Sequence, residues 1–97
     1  MKPVVLAPAA EDEMHAAAYY YEECQIGLGN RFLDEVLLTG RRIAENPEAW
    51  PFISDRIRRC LMKRFPFGML FRVEAERIYV LAVMHLRREP NYWQKLS

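Results

Sequence analysis

The sequence predicts an α+β fold in the order β-α-α-β-β-β. A helical hairpin packs on one face of a small, mostly antiparallel sheet, in a single domain over residues 1–97. Three observations predict it. Residues 67–73 and 78–84 are short apolar runs rich in β-formers, separated by the polar break Glu74-Ala75-Glu76-Arg77, which is the pattern of a hairpin at the centre of a sheet. Upstream, two stretches of helical periodicity flank Gln25-Ile26-Gly27-Leu28-Gly29, where two glycines stop one helix and permit a tight turn into the next. A chain of 97 residues buries on the order of 65% of its unfolded surface, enough for one core.

Each element has its own warrant. Pro3-Val4-Val5-Leu6 reads as a short strand, with the proline at its start because proline cannot donate to a ladder. The first helix begins through Ala7-Pro8-Ala9-Ala10-Glu11-Asp12-Glu13, where an early proline and three acids suit the positive end of the macrodipole. It runs to about Cys24, and Met14, Ala17, Ala18, Tyr21 and Cys24 share one face. The second helix is expected to start near Gly29 or Asn30, with Asn30 as N-cap. Phe32, Leu33, Val36, Leu37, Gly40, Ile43 and Ala44 form its apolar face, and Asn46-Pro47 ends it. Residues 48–55 read as a loop pinned by Trp50 and Phe52. A second strand is expected over 57–65, its imperfect alternation explained by a bulge or an edge position. In the third strand Phe67, Met69, Phe71 and Val73 face the core. The fourth is apolar on both faces and is therefore central. A turn at Pro90 follows.

Composition narrows the function classes. No apolar run approaches the roughly 20 residues of a membrane span, and the N-terminal run is too short for a signal peptide, so a cytoplasmic protein with no membrane partner is expected. Cys24 and Cys60 lack metal-type spacing and read as buried free thiols. No cofactor and no metal are expected. The net charge of +1 hides an asymmetry: residues 1–55 carry four basic and ten acidic side chains, and residues 56–97 carry ten basic and three acidic ones. A net of −6 beside a net of +7 points either to a polyanionic or acidic partner for the second half, or to internal complementarity.

Several short motifs occur in a fixed order. They are Glu22-Glu23, Leu28-Gly29-Asn30-Arg31-Phe32, Asn46-Pro47-Glu48-Ala49-Trp50-Pro51, Ile57-Arg58-Arg59, Arg64-Phe65-Pro66-Phe67, Leu70-Phe71-Arg72-Val73-Glu74 and His85-Leu86-Arg87-Arg88-Glu89-Pro90-Asn91-Tyr92-Trp93. Over roughly residues 3–94 this ordered set resembles the RelE/ParE superfamily of type II toxin–antitoxin toxins, on its ParE-like side. The resemblance implies the same β-α-α-β-β-β fold. It also implies a growth inhibitor neutralised by a small ParD-like antitoxin in a hetero-oligomer that touches DNA only through the antitoxin. One branch of the superfamily poisons DNA gyrase; another cuts mRNA on the ribosome. A degenerate member that only binds its antitoxin is a third reading.

The two active branches ask for different chemistry. Gyrase poisoning needs a binding surface and no catalytic group; Arg87, Arg88, Tyr92 and Trp93 are the residue types that anchor interfaces. Metal-free RNA cleavage needs cations at the phosphate and groups that move protons. For that branch the resemblance points to Lys63, Arg64, Arg72, His85, Arg88 and Tyr92. The Pro90-Asn91-Tyr92-Trp93 ending looks more ParE-like, which places gyrase first. An antitoxin needs an apolar groove to cover, and the off-core positions Tyr19, Tyr20, Leu33, Leu37 and Leu38 are the candidates, with ordinary helix-pair packing as the alternative for Leu33 and Leu37.

Overall fold

A computed structural model of the chain describes residues 1–88. The element order is β1 (Val4–Leu6), α1 (Pro8–Cys24), α2 (Leu28–Glu45), a short 3-10 turn (Pro47–Ala49), β2 (Arg58–Leu61), β3 (Phe67–Val73) and β4 (Ile78–His85). The sheet order is β1-β4-β3-β2. β3 pairs antiparallel with β2 and β4, and β1 runs parallel to β4. The expected β-α-α-β-β-β fold is therefore present, with β4 an inner strand. The turn expected at Pro90 lies outside the described residues.

The helices cover one face of the sheet. Phe32, Val36 and Ile43 of α2 and Ala10 and Ala18 of α1 are buried against Cys60, Met69, Phe71, Ile78, Val80 and Val83. Each large side chain removed from water here stabilises the fold by about 1.5–3 kcal/mol. A second, smaller cluster forms on the opposite face, where Ile57, Leu70, Leu81 and Ala82 pack together beneath Ile53.

β4 serves both clusters through a bulge. Leu70 pairs with Ala82 but Phe71 pairs with Val80, so Leu81 has no partner on β3. One extra residue reverses the alternation of everything after it. Val80 and Val83 thus both face the helices, and Leu81 and Ala82 both face away. Of the two readings of the second strand, a bulge or an edge position, the edge position holds, and the irregularity lies here in the β3–β4 pairing. β2 is a regular edge strand of four residues rather than nine, and Lys63, Arg64 and Phe65 belong to the connection into β3. Past the bulge, Val83 turns its N–H to the side where β1 has already ended, and the Glu13 carboxylate of α1 accepts it at 3.0 Å.

Other local expectations also change. α2 starts at Leu28, and its N-cap is Gly27 at φ 89°, not Asn30. An L side chain resists that left-handed conformation. The free N–H groups of Gly27 and Gly29 are satisfied by Glu22 reaching over from α1, at 3.0–3.1 Å. Cys24 is exposed and only Cys60 is buried; both are free thiols. Leu37 is 69% exposed, because α2 turns it to the flank away from the sheet's centre. Trp50 packs against the core, but Phe52 is exposed beneath the Arg58 guanidinium, 3.8 Å from its ring centre.

Candidate functional site

Four segments meet at the end of the sheet where β4 stops. Edge-to-face rings join them: Tyr21 of α1 and Phe32 of α2 lie 4.9 and 5.2 Å from Phe65, and Phe67 lies 4.9 Å from Phe32 and 5.1 Å from the His85 ring. These contacts fix the 62–66 connection and the end of β4 on one rigid base. The chain then turns about His85. Leu86 N–H donates to Pro66 O at 2.9 Å, Arg87 N–H donates to His85 Nδ1 at 3.0 Å, and Arg88 N–H donates to His85 O at 2.9 Å. Because Nδ1 accepts, the ring carries its proton on Nε2. His85 orients a turn that presents Arg87 and Arg88 on the surface.

Lys63 and Arg64 are exposed on the neighbouring connection, but they point along α2, where they line clefts with Glu35 and Leu38. Arg72 stands elsewhere. It pairs with Tyr79 at the turn end of the β3–β4 hairpin, whereas Phe67 pairs with His85 at the other end. Five residues of strand separate the two positions, roughly 17 Å. Arg72 is also engaged: its Nε donates to Glu74 Oε2 at 2.6 Å, and Arg77 Nε donates to Glu74 Oε1 at 2.6 Å. Both guanidinium groups lie over Tyr79. Hydrogen bonds from Arg77 and Arg72 hold the Glu74 carboxyl below its ordinary range. Arg58 is a structural tie as well, donating to the carbonyls of Glu48 and Trp50 at 3.0 and 2.7 Å. Of the residues expected at an active centre, His85 and Arg88 are adjacent, Lys63 and Arg64 lie on the α2 flank, and Arg72 is apart. Tyr92 and Trp93 lie outside the described residues.

The positions expected to receive an antitoxin fall on several surfaces. Leu33 packs against the core, which is the helix-pair alternative. Tyr19 and Tyr20 are 70% and 64% exposed on the outer face of α1. Leu37 lines an apolar groove of about 490 Å³ where α1 and α2 diverge over β1, with Val4, Leu6, Met14 and Gly40. Leu38, on the other flank of α2, lines the clefts beside Lys63 and Arg64. The groove is bordered by an open strand edge. Ile78 N–H donates to Pro3 O and Ala7 N–H donates to Val80 O, so Pro3, Val5 and Ala7 turn their polar groups to β4. The alternate residues Val4 and Leu6 turn theirs to the outer edge, which no other strand among the described residues pairs.

Among the described residues no cluster of His, Cys, Asp or Glu has the arrangement of a metal site, and no helix is long and apolar enough to cross a membrane. No family model and no curated protein matches the sequence. A chain of a solved structure titled as the chromosomal ParDE TA system from P. aeruginosa matches at a TM-score of 0.74 and 18% identity, covering 88% of this chain and 96% of that one. The protein has the fold of that ParDE chain, an α+β fold of two helices on a four-stranded mixed sheet.

Proposed function

We propose that the protein is the toxin of a type II toxin–antitoxin system, that it arrests growth by trapping DNA gyrase on cleaved DNA, and that a ParD-like antitoxin holds it inactive. The observation that carries the toxin reading is the fold shared with a ParDE chain over 88% of this one. The dispersal of the cations supports gyrase over RNA cleavage. A ribonuclease needs Lys63, Arg64, Arg72 and His85 around one phosphate, and Arg72 is bound to Glu74 at the far end of the hairpin. A surface that binds a target needs only exposed anchors on a rigid base, which is how the His85 turn carries Arg87 and Arg88. Tyr92 and Trp93 follow them in the chain and belong to the same proposed surface.

The antitoxin is assigned to the groove between the helices. Its apolar floor and the open edge of β1 suit an extended segment that adds a strand and inserts alternate apolar side chains. Leu37 and the exposed face of α1 with Tyr19 and Tyr20 extend that contact.

The deciding experiment is a supercoiling and DNA-cleavage assay with purified gyrase and antitoxin-free protein. Accumulation of cleaved DNA is expected, with loss of about tenfold or more in potency for Arg87→Ala/Arg88→Ala, the scale of removing two interface anchors. No cleavage at micromolar protein would overturn the gyrase reading. Primer extension on ribosome-bound mRNA would then test the ribonuclease reading, with Tyr92→Phe as the first variant.

A further inference from the structure

We propose that the chain, when nothing else fills its groove, pairs with a second copy of itself through β1 and the groove beside it, about a two-fold axis at Val5. The proposal goes beyond the toxin reading and stands without it. It needs only the open edge, the groove and the charges at the groove's two ends.

The two edges of the sheet are not alike. The β2 edge is engaged: Arg59 N–H donates to Pro51 O at 3.0 Å, and the Arg42 guanidinium donates to Leu61 O at 3.3 Å. At β1 the backbone groups of Val4 and Leu6 face outward, and no strand among the described residues pairs them. An open edge is a template for another strand. Two-fold pairing suits this one. Centred on Val5, antiparallel contact sets Val4 against Leu6 of the second copy and Leu6 against its Val4. Each such pair exchanges an N–H and a C=O in both directions. Val5, 37% exposed, then meets Val5 of the second copy.

The groove beside that edge complements itself about the same axis. Gly40 lies on its floor in mid-helix, where glycine costs stability relative to alanine. The fold does not require it: a Cβ there would touch only Val4 Cγ1, at an ordinary 3.9 Å. The space suits a side chain arriving from outside. Leu37, one helical turn away on the same groove, is 69% exposed. An axis that seats Leu37 over Gly40 of the second copy seats the reverse pair as well. The charges follow the same order. Gly29 lies against Ala18, and α1 runs back from there to Glu11 over the same rise as α2 runs on to Val36, so Glu11 stands at the Leu37 end of the groove. Lys2, ahead of β1, and Arg41, beyond Gly40, line the other end. Lys2 Nζ donates to Glu74 O at 2.8 Å, and Glu11 lies 3.9 Å from His15 Nε2; both contacts are exposed and leave the charges available. The axis brings Glu11 of each copy to Lys2 and Arg41 of the other. A partner segment of one sign would be matched at one end and repelled at the other, whereas the chain itself carries both signs in the order required.

The test is sedimentation equilibrium of the full chain alone, from about 5 to about 500 µM, where a reversible dimer with a Kd in the micromolar range is expected, the strength of a small interface. Leu37→Glu sets two like charges near the axis at a position that is exposed in the single chain, so the fold is kept, as circular dichroism would verify. The dimer should weaken by about tenfold or more. Glu11→Arg and Arg41→Glu should each weaken it several-fold, and the two together in one chain should restore it, because only crossed charges are exchanged by that swap. A chain still monomeric at about 500 µM overturns the proposal and leaves the groove to a segment of another protein. A dimer unchanged by Leu37→Glu, or a double variant no tighter than its single variants, overturns it too, because the contact then lies elsewhere. The gyrase assay can fail without altering any of these outcomes.

Discussion

Glu74 shows what a single side chain decides at the turn end of the sheet. Its two oxygens receive Arg72 and Arg77, its backbone carbonyl receives Lys2 Nζ at 2.8 Å, and its N–H donates to Arg77 O. The carboxyl's pKa is held below the ordinary 4.5. The sign of the linkage follows: a depressed folded-state value contributes stability that is complete above the unfolded value and lost as pH falls through the folded one. We expect Glu74→Gln to lower the urea midpoint at pH 7, and the gap from wild type to close as the pH drops below about 4.5, as urea melts across that range would read. An unchanged gap at pH 3 would mean that the ion pairs contribute nothing. Because Arg72 is fastened here, its removal should be felt as stability. At this scale the sequence was partly legible. Arg72 and Glu74 stand out as a charged pair at a hairpin's end, but nothing in the string says that the pair closes on itself instead of facing a ligand.

At the level of elements, α1 and α2 approach each other closely at Gly29. A Cβ on Gly29 would stand 2.6 Å from the Ala18 carbonyl oxygen, which is backbone and cannot yield without moving a helix. Gly29→Ala should therefore cost about 1–3 kcal/mol in chemical denaturation, the range of overpacked sites. A loss below a few tenths of a kcal/mol would show that the helices separate freely. The periodicities of α1, α2 and β3 carried their placement. The start of α2 did not follow from its cap residue, because Asn30 was outcompeted by a capping carboxylate from the preceding helix, and Glu22 lies eight positions upstream. The length of β2 was overread because Lys63 and Arg64 continue a β-like pattern after the ladder has ended at Leu61. The imperfect alternation of the second strand has its cause in the edge position, whereas the bulge opposite β3 leaves no trace in the sequence. β4 looks like a uniformly buried strand, and a reversal of alternation inside an all-apolar run leaves no mark in hydropathy.

Across the whole molecule, β4 is the inner strand that joins β1 and α1 to the β3–β2 half of the sheet. It is hydrogen-bonded to β1 and β3 and lies under α1. Its amides at 78–80, paired on both sides, should be among the last to exchange in hydrogen-exchange measurements, while those of β2 at the edge exchange earlier. Equal rates across the sheet would indicate a single opening unit without a weak edge. The parallel pairing of β1 with β4 has a further consequence, in the time of synthesis. Val4 waits for Ile78, its partner 74 positions later. At translation speeds of about 5–20 residues per second, that gap lasts roughly 4–15 s. During it the helical hairpin has no sheet to cover, and the apolar side of α2 stands open in a nascent chain. The His85 turn is made later still, so the surface proposed to act on a target comes into being only as the first-made strand finds its place. On the proposed toxin reading, those seconds precede the surface that would act on a target.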